Sequence, residues 1–121
     1  MQLNRVMIFV KDMPRMSAFY QNVLGFGIVK ESEMEDYVEL CVGAVTLALH
    51  AIPQALAEEI EITAPPQPRE QNPVKLIFEV ENMDMERKRL ENLGVILIER
   101  SWGALDGVDL EGNVFGIYKS A

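Results

Sequence analysis

Residues 6–25 read VMIFVKDMPRMSAFYQNVLG, and residues 74–94 read VKLIFEVENMDMERKRLENLG. Each stretch is an apolar run, a polar cap and a helical pattern that stops on glycine. In the first, Val6 to Val10 is rich in strand formers and ends at Lys11 and Asp12. Asp12 is a natural N-cap, and Pro14 falls in the first turn, where its missing N–H costs nothing. Met16, Phe19, Tyr20, Val23 and Leu24 then recur at helical spacing until Gly25 closes the helix. In the second stretch Val74 to Val80 is the strand, Asn82 the cap, Met83 to Leu93 the helix and Gly94 the stop. Val10, Asp12 and Met13 recur as Val80, Asn82 and Met83, each 70 positions on. The chain is an internal duplication.

Three strand-like runs follow each helix. In the first half they are Phe26 to Lys30, Tyr37 to Val42 and Val45 to His50, the last two joined through Gly43-Ala44 as a hairpin. In the second they are Val95 to Glu99, Leu105 to Asp109 and Val114 to Lys119. Between the halves Pro53, Pro65, Pro66 and Pro68 mark a linker, with one helical turn expected around Gln54 to Glu59. The fold class expected is α+β: two βαβββ modules, residues 1–50 and 73–121 joined by linker 51–72, within one domain of residues 1–121. A module of this kind covers one sheet face with its own helix. The other face needs a partner, and two curved half-sheets together would enclose a cupped cavity with the helices outside.

Composition narrows the function classes. Of 121 residues, 49% are hydrophobic and 25% charged, the mix of a folded protein. Nineteen Asp and Glu against 11 Lys and Arg give a net charge of −8, so nucleic acid is not an expected partner. One cysteine rules out an internal disulfide. No apolar run approaches the ~18 residues of a membrane span. Asn4, Arg5, Lys11 and Asp12 interrupt any signal-like N-terminus, which makes the cytoplasm the expected location.

The pieces Phe9-Val10-Lys11-Asp12-Met13, Ala18-Phe19-Tyr20-Gln21-Asn22-Val23-Leu24-Gly25-Phe26 and Asp109-Leu110-Glu111-Gly112-Asn113-Val114-Phe115 resemble the vicinal oxygen chelate superfamily. That superfamily includes glyoxalase I, bleomycin-resistance proteins and extradiol dioxygenases. The resemblance implies paired βαβββ modules forming a cupped mixed sheet. It also implies a divalent-metal centre in those members that use one, with four side chains from the first and last strands of each module. Those four positions fall here on Arg5, Ala48, Lys75 and Gly116. None is a metal donor, and two cations would repel a divalent ion. No metal and no cofactor are therefore expected. The reading is a metal-independent small-molecule binding protein of the bleomycin-resistance type, working as a homodimer. The competing reading is a glyoxalase-like lyase or dioxygenase relative with an atypical or absent metal centre.

The candidate ligand-binding residues are Arg5, Met7, Phe9, Tyr37, Glu39, His50, Lys75, Glu79 and Trp102. Arg5 and Lys75 suit an anion, Arg as a fork and Lys as a point charge. The favoured alternative is an internal plug, in which Glu39 and Glu79 neutralise them. Met7, Phe9, Tyr37 and Trp102 would line an apolar pocket. His50, the only histidine, is the one candidate for catalysis, as a general base. Cys41 is read as a small core residue, Met13, Met16, Met83 and Met85 as core or interface, and Glu31 to Asp36 as a charged connection.

Overall fold

A computed structural model describes residues 1–120, which divide after Glu61 into two compact units. Each unit is one repeat of the same plan.

The first unit contains β1 (Arg5–Val10), α1 (Met13–Ala18), a π-helical segment (Phe19–Val23), β2 (Gly27–Met34), β3 (Tyr37–Val42), β4 (Val45–Ala51) and α2 (Gln54–Ala57). Its sheet runs β1-β4-β3-β2, with β1 parallel to β4 and the remaining pairs antiparallel. The second unit contains β5 (Leu76–Val80), α3 (Met83–Asn92), β6 (Ile96–Glu99), β7 (Leu105–Val108) and β8 (Val114–Lys119). Its sheet runs β5-β8-β7-β6, again with one parallel pair, β5 with β8. The expected duplication is present as two four-stranded mixed sheets.

Caps start the helices where the sequence indicates. Asp12 Oδ1 accepts from the Arg15 N–H at 3.1 Å, and Asn82 Oδ1 from the Met85 N–H at 3.0 Å. Each satisfies a donor that the helix itself leaves unpaired. The first helix does not continue as a regular α-helix. From Phe19 it widens, and the Leu24 N–H donates to the Phe19 carbonyl five residues back, at 3.2 Å. Phe19 and Tyr20, neighbours in sequence, are both buried, with their rings edge-on at 5.3 Å. An apolar stripe about 100° wide holds two such neighbours, and the widened turn carries them on the same buried face.

Strand alternation sorts each sheet into two faces. In the first unit Val10, Val38, Leu40, Leu47 and Leu49 are buried on the face shared with Met16, Phe19 and Tyr20. In the second, Leu105, Phe115 and Ile117 are buried with Leu90 of α3. Gly107 packs under Phe115, where a Cβ would lie 2.4 Å from the ring.

Two expectations need correction. The charged run from Glu31 is largely strand, because β2 extends to Met34 across a bulge after Val29. Ser32 Oγ donates to the Val29 carbonyl at 2.5 Å and accepts from the Glu39 N–H at 2.9 Å, replacing the interrupted ladder. Cys41 is exposed, because it shares a face with Glu39 and not with Leu40. Of the helix methionines read as core or interface, Met16 is fully buried and Met85 is exposed.

Candidate functional site

Register sets which side chains stand together on the uncovered faces. In the first unit Arg5 lies opposite Thr46, Met7 opposite Ala48 and Phe9 opposite His50, while β3 brings Tyr37 beside His50 and Glu39 beside Ala48. Arg5, Met7, Phe9, Tyr37, Glu39 and His50 thus share one face. Arg5 Nη1 donates to the Tyr37 hydroxyl at 3.0 Å and lies 3.2 Å from Glu39 Oε2. The Tyr37 hydroxyl donates to Glu39 Oε2 at 2.6 Å. This bond, more than burial, raises the Tyr37 pKa above its usual value, with Arg5 opposing it. Tyr37 stays a proton donor in a closed network and is not poised as a base.

His50 stands between two rings, 5.6 Å from the centroid of Phe9 and 6.2 Å from that of Tyr37. Its Nδ1 lies 2.8 Å from the Ala51 carbonyl. A carbonyl only accepts, so Nδ1 carries the proton and the neutral ring keeps its lone pair on Nε2.

In the second unit Ile77 lies opposite Gly116 in β8, and Gly116 lies opposite Asp106 in β7. The expected partner of Lys75 was Glu79; the observed one is Asp106, with Lys75 Nζ 2.7 Å from Oδ1. Glu79 lies four residues along the strand from Lys75, roughly 13 Å in extended chain, whereas a residue on a paired strand stands about 5 Å away. Asp106 is also held from Oδ2 by Arg100 Nε at 2.7 Å, and Arg100 Nη2 reaches Glu70 at 2.7 Å. Its side chain is 1% exposed. Lys75 and Arg100 thus take one carboxylate oxygen each. Burial alone would raise the Asp106 pKa, but Lys75 and Arg100 outweigh it and hold the carboxyl below its usual range.

The two units therefore repeat an ion pair. Glu39 pairs across the sheet with Ala48 as Asp106 does with Gly116, and each acid binds the cation at the start of the first strand. A Cβ at Gly116 would come within 3.3 Å of Lys75 Cε and 3.4 Å of Asp106 Oδ1. The ion pair lies over the place a larger side chain at 116 would need.

Beside this pair is a pocket of about 160 Å³, walled by Val74, Trp102 and Val114 and bordered by Arg69, Lys75 and Arg100. Trp102 sits in the turn after β6 and is 72% exposed. Of the residues singled out from sequence, Lys75 and Trp102 meet here, and Glu79 does not border the pocket. Arg69, Arg100 and Asp106 were not anticipated. Only Asp106 carried a usable signal, as the same-face partner of Gly116.

The sequence profile of the Glyoxalase/Bleomycin resistance protein/Dioxygenase superfamily matches residues 2–100. The chain belongs to that superfamily. Among solved structures it is similar to a glyoxalase/bleomycin resistance protein/dioxygenase family enzyme from Burkholderia phytofirmans, at 25% identity and TM-score 0.70 with both chains fully covered. It is also similar to an integron cassette protein from the mobile metagenome of V. cholerae (22% identity, 100% and 96% covered, TM-score 0.70). A virulence protein of Salmonella typhimurium shares the fold at 21% identity, 99% and 97% covered, TM-score 0.70. No curated protein matches the chain.

Membership of this superfamily raises the question of a metal, and the residues here do not fit one. Arg5 and Lys75 bring positive charge already engaged by Glu39 and Asp106. Ala48 and Gly116 have no donor atom. A divalent ion needs converging oxygen, nitrogen or sulfur lone pairs, and these positions supply none. Among the described residues no three His, Cys, Asp or Glu side chains form a metal-holding group, and no helix is long and apolar enough to cross a membrane.

Proposed function

We propose that this superfamily member is a metal-independent small-molecule binding protein whose ligand sits on the uncovered sheet face of the second module. The observation that carries this reading is the repeated ion pair: Arg5–Glu39 and Lys75–Asp106 engage the two cations at positions the resemblance assigns to metal ligands. A pocket beside the second pair, with Trp102 at its wall, supports ligand entry there. Purified protein should carry far less than one equivalent of zinc, nickel, iron or manganese by elemental analysis. A ligand entering the pocket should shift the emission of Trp102, the only tryptophan. Near-stoichiometric metal, with an activity lost on chelation, would overturn the reading.

A lyase or dioxygenase-like enzyme is the second reading, and the lone pair on His50 Nε2 favours it. Turnover of a methylglyoxal–glutathione hemithioacetal by metal-free protein, lost in His50→Gln, would establish it.

The assembly we propose is a homodimer. Met7 and Phe9 of the first sheet and Ile77 and Tyr118 of the second are 40–60% exposed on the faces that no helix of their own module covers. Exposed apolar patches of this kind mark association surfaces. Sedimentation at micromolar concentration should give about twice 13.7 kDa. A single species at the monomer mass would refute the dimer.

A further inference from the structure

The pocket of the second module has a charge balance of its own. Arg100 is engaged by Glu70 and Asp106, and Lys75 by Asp106. Arg69 is the third cation at the border, and none of the ion pairs among the described residues includes it. Three cations against two carboxylates leave one positive charge, in a chain whose net charge is −8. The Arg69 backbone is fixed, because its N–H donates to the Gly112 carbonyl at 2.8 Å. The side chain therefore starts from an anchored point at the pocket border.

We infer that this pocket takes a small aromatic carboxylate, its carboxyl gripped by Arg69 and its ring laid against Trp102; the assignment rests on the small-molecule reading above. A planar guanidinium presents paired donors that match the two oxygens of a carboxylate. Trp102 and Val74 are 72% and 66% exposed, and a flat ring covers such surface while meeting the indole face to face or edge to face. A volume of about 160 Å³ is below the roughly 300–1,000 Å³ of drug-sized sites, which selects a single ring over a nucleotide or glycopeptide. Glu70 and Asp106 select a monoanion. They would repel the second charge of a phosphate, which one unengaged arginine cannot offset.

The test is calorimetric titration of chelator-treated protein with benzoate, benzamide, benzylammonium and inorganic phosphate. Wild type, Arg69→Gln and Trp102→Ala are compared, both substitutions lying at exposed side chains that leave the core intact. Benzoate should bind wild type, and Arg69→Gln should weaken it roughly ten- to hundredfold, the worth of a charge-assisted hydrogen bond. Trp102→Ala should weaken benzoate as well, and benzamide should bind no better than it binds Arg69→Gln. Equal benzoate affinity in wild type and Arg69→Gln would overturn the assignment. So would phosphate binding as tightly as benzoate. Binding of benzamide or benzylammonium with benzoate silent would also overturn it, while leaving the broader small-molecule reading in place. Metal at one equivalent in untreated protein would strike that broader reading alone.

Discussion

Asp106→Asn should lower the stability of the protein by about 2–4 kcal/mol at neutral pH, a fall of roughly 5–15 °C in melting temperature. The substitution keeps the shape and removes the charge. Asp106 is 1% exposed and holds Lys75 and Arg100 at 2.7 Å each. Without the carboxylate two cations face one another and an amide. Breaking a buried pair from one side typically costs about 3–5 kcal/mol. The estimate is set lower because the Lys75 side chain is 38% exposed and can turn to water.

The same carboxylate sets a pH signature. Its folded pKa lies below the unfolded value, because Lys75 and Arg100 together outweigh burial. A depressed carboxyl pKa stabilises fully above the unfolded pKa of about 3.9 and loses that contribution as pH falls through the folded value. Wild type should therefore lose stability faster than Asp106→Asn below about pH 4, and the gap between them should narrow with acid. Urea denaturation of both proteins from neutral to acidic pH measures it. A neutral-pH difference below about 0.5 kcal/mol, the range of an inconsequential surface change, would sink the ion-pair account.

The first module was legible to the level of side-chain pairs, and the second was not, for a reason that lies in the strands. β1, β3 and β4 run six or seven residues each, long enough for the two-residue period of side chains to sort them into faces. Alternation alone puts Arg5, Glu39, Ala48 and His50 on one face. The same rule applied to Cys41 would have moved it out of the core, since it stands two residues from Glu39. β7 has four residues, Leu105–Val108, and all are buried. So short a strand offers little alternation, and the one signal for Asp106, its place on the Gly116 face, is weak beside the same-strand Glu79. Arg69 was hidden differently. It belongs to the proline-rich linker, and contacts with residues far along the chain, its own N–H bond to Gly112 among them, bring it to the pocket. No periodicity encodes that contact. The π-helical segment escaped too, because Phe19 and Tyr20 fit a helical stripe whether or not the turn widens.

Asp109→Ala carries the second large expected effect, and it reaches the pocket through the backbone. Asp109 is 0% exposed and organises the turn before β8. Its Oδ1 accepts from the Glu111 N–H at 2.9 Å and the Asn113 N–H at 3.0 Å, and its Oδ2 from Asn113 Nδ2 at 2.9 Å. Alanine leaves all three donors without this acceptor in a largely buried turn. Each buried donor left unpaired costs about 1–3 kcal/mol, so the loss should be about 3–5 kcal/mol once part of the turn has relaxed toward water. Gly112 in the same turn has φ +88°, and a Cβ there would stand 2.3 Å from the Gln67 carbonyl oxygen. The linker is packed directly on this turn, with the Arg69 N–H bonded to the Gly112 carbonyl. Loosening the turn therefore releases Arg69 as well as destabilising the sheet. Asp109→Asn keeps one oxygen for the two backbone N–H groups but sets its amide against that of Asn113, so it should cost less, about 1–2 kcal/mol. Denaturant titration ranks the three proteins. Benzoate titration of the asparagine variant, well below its unfolding midpoint, should show weakened binding with no pocket residue changed. Unweakened benzoate binding in Asp109→Asn, or alanine and asparagine variants of equal stability, would show that the turn does not act through these three hydrogen bonds.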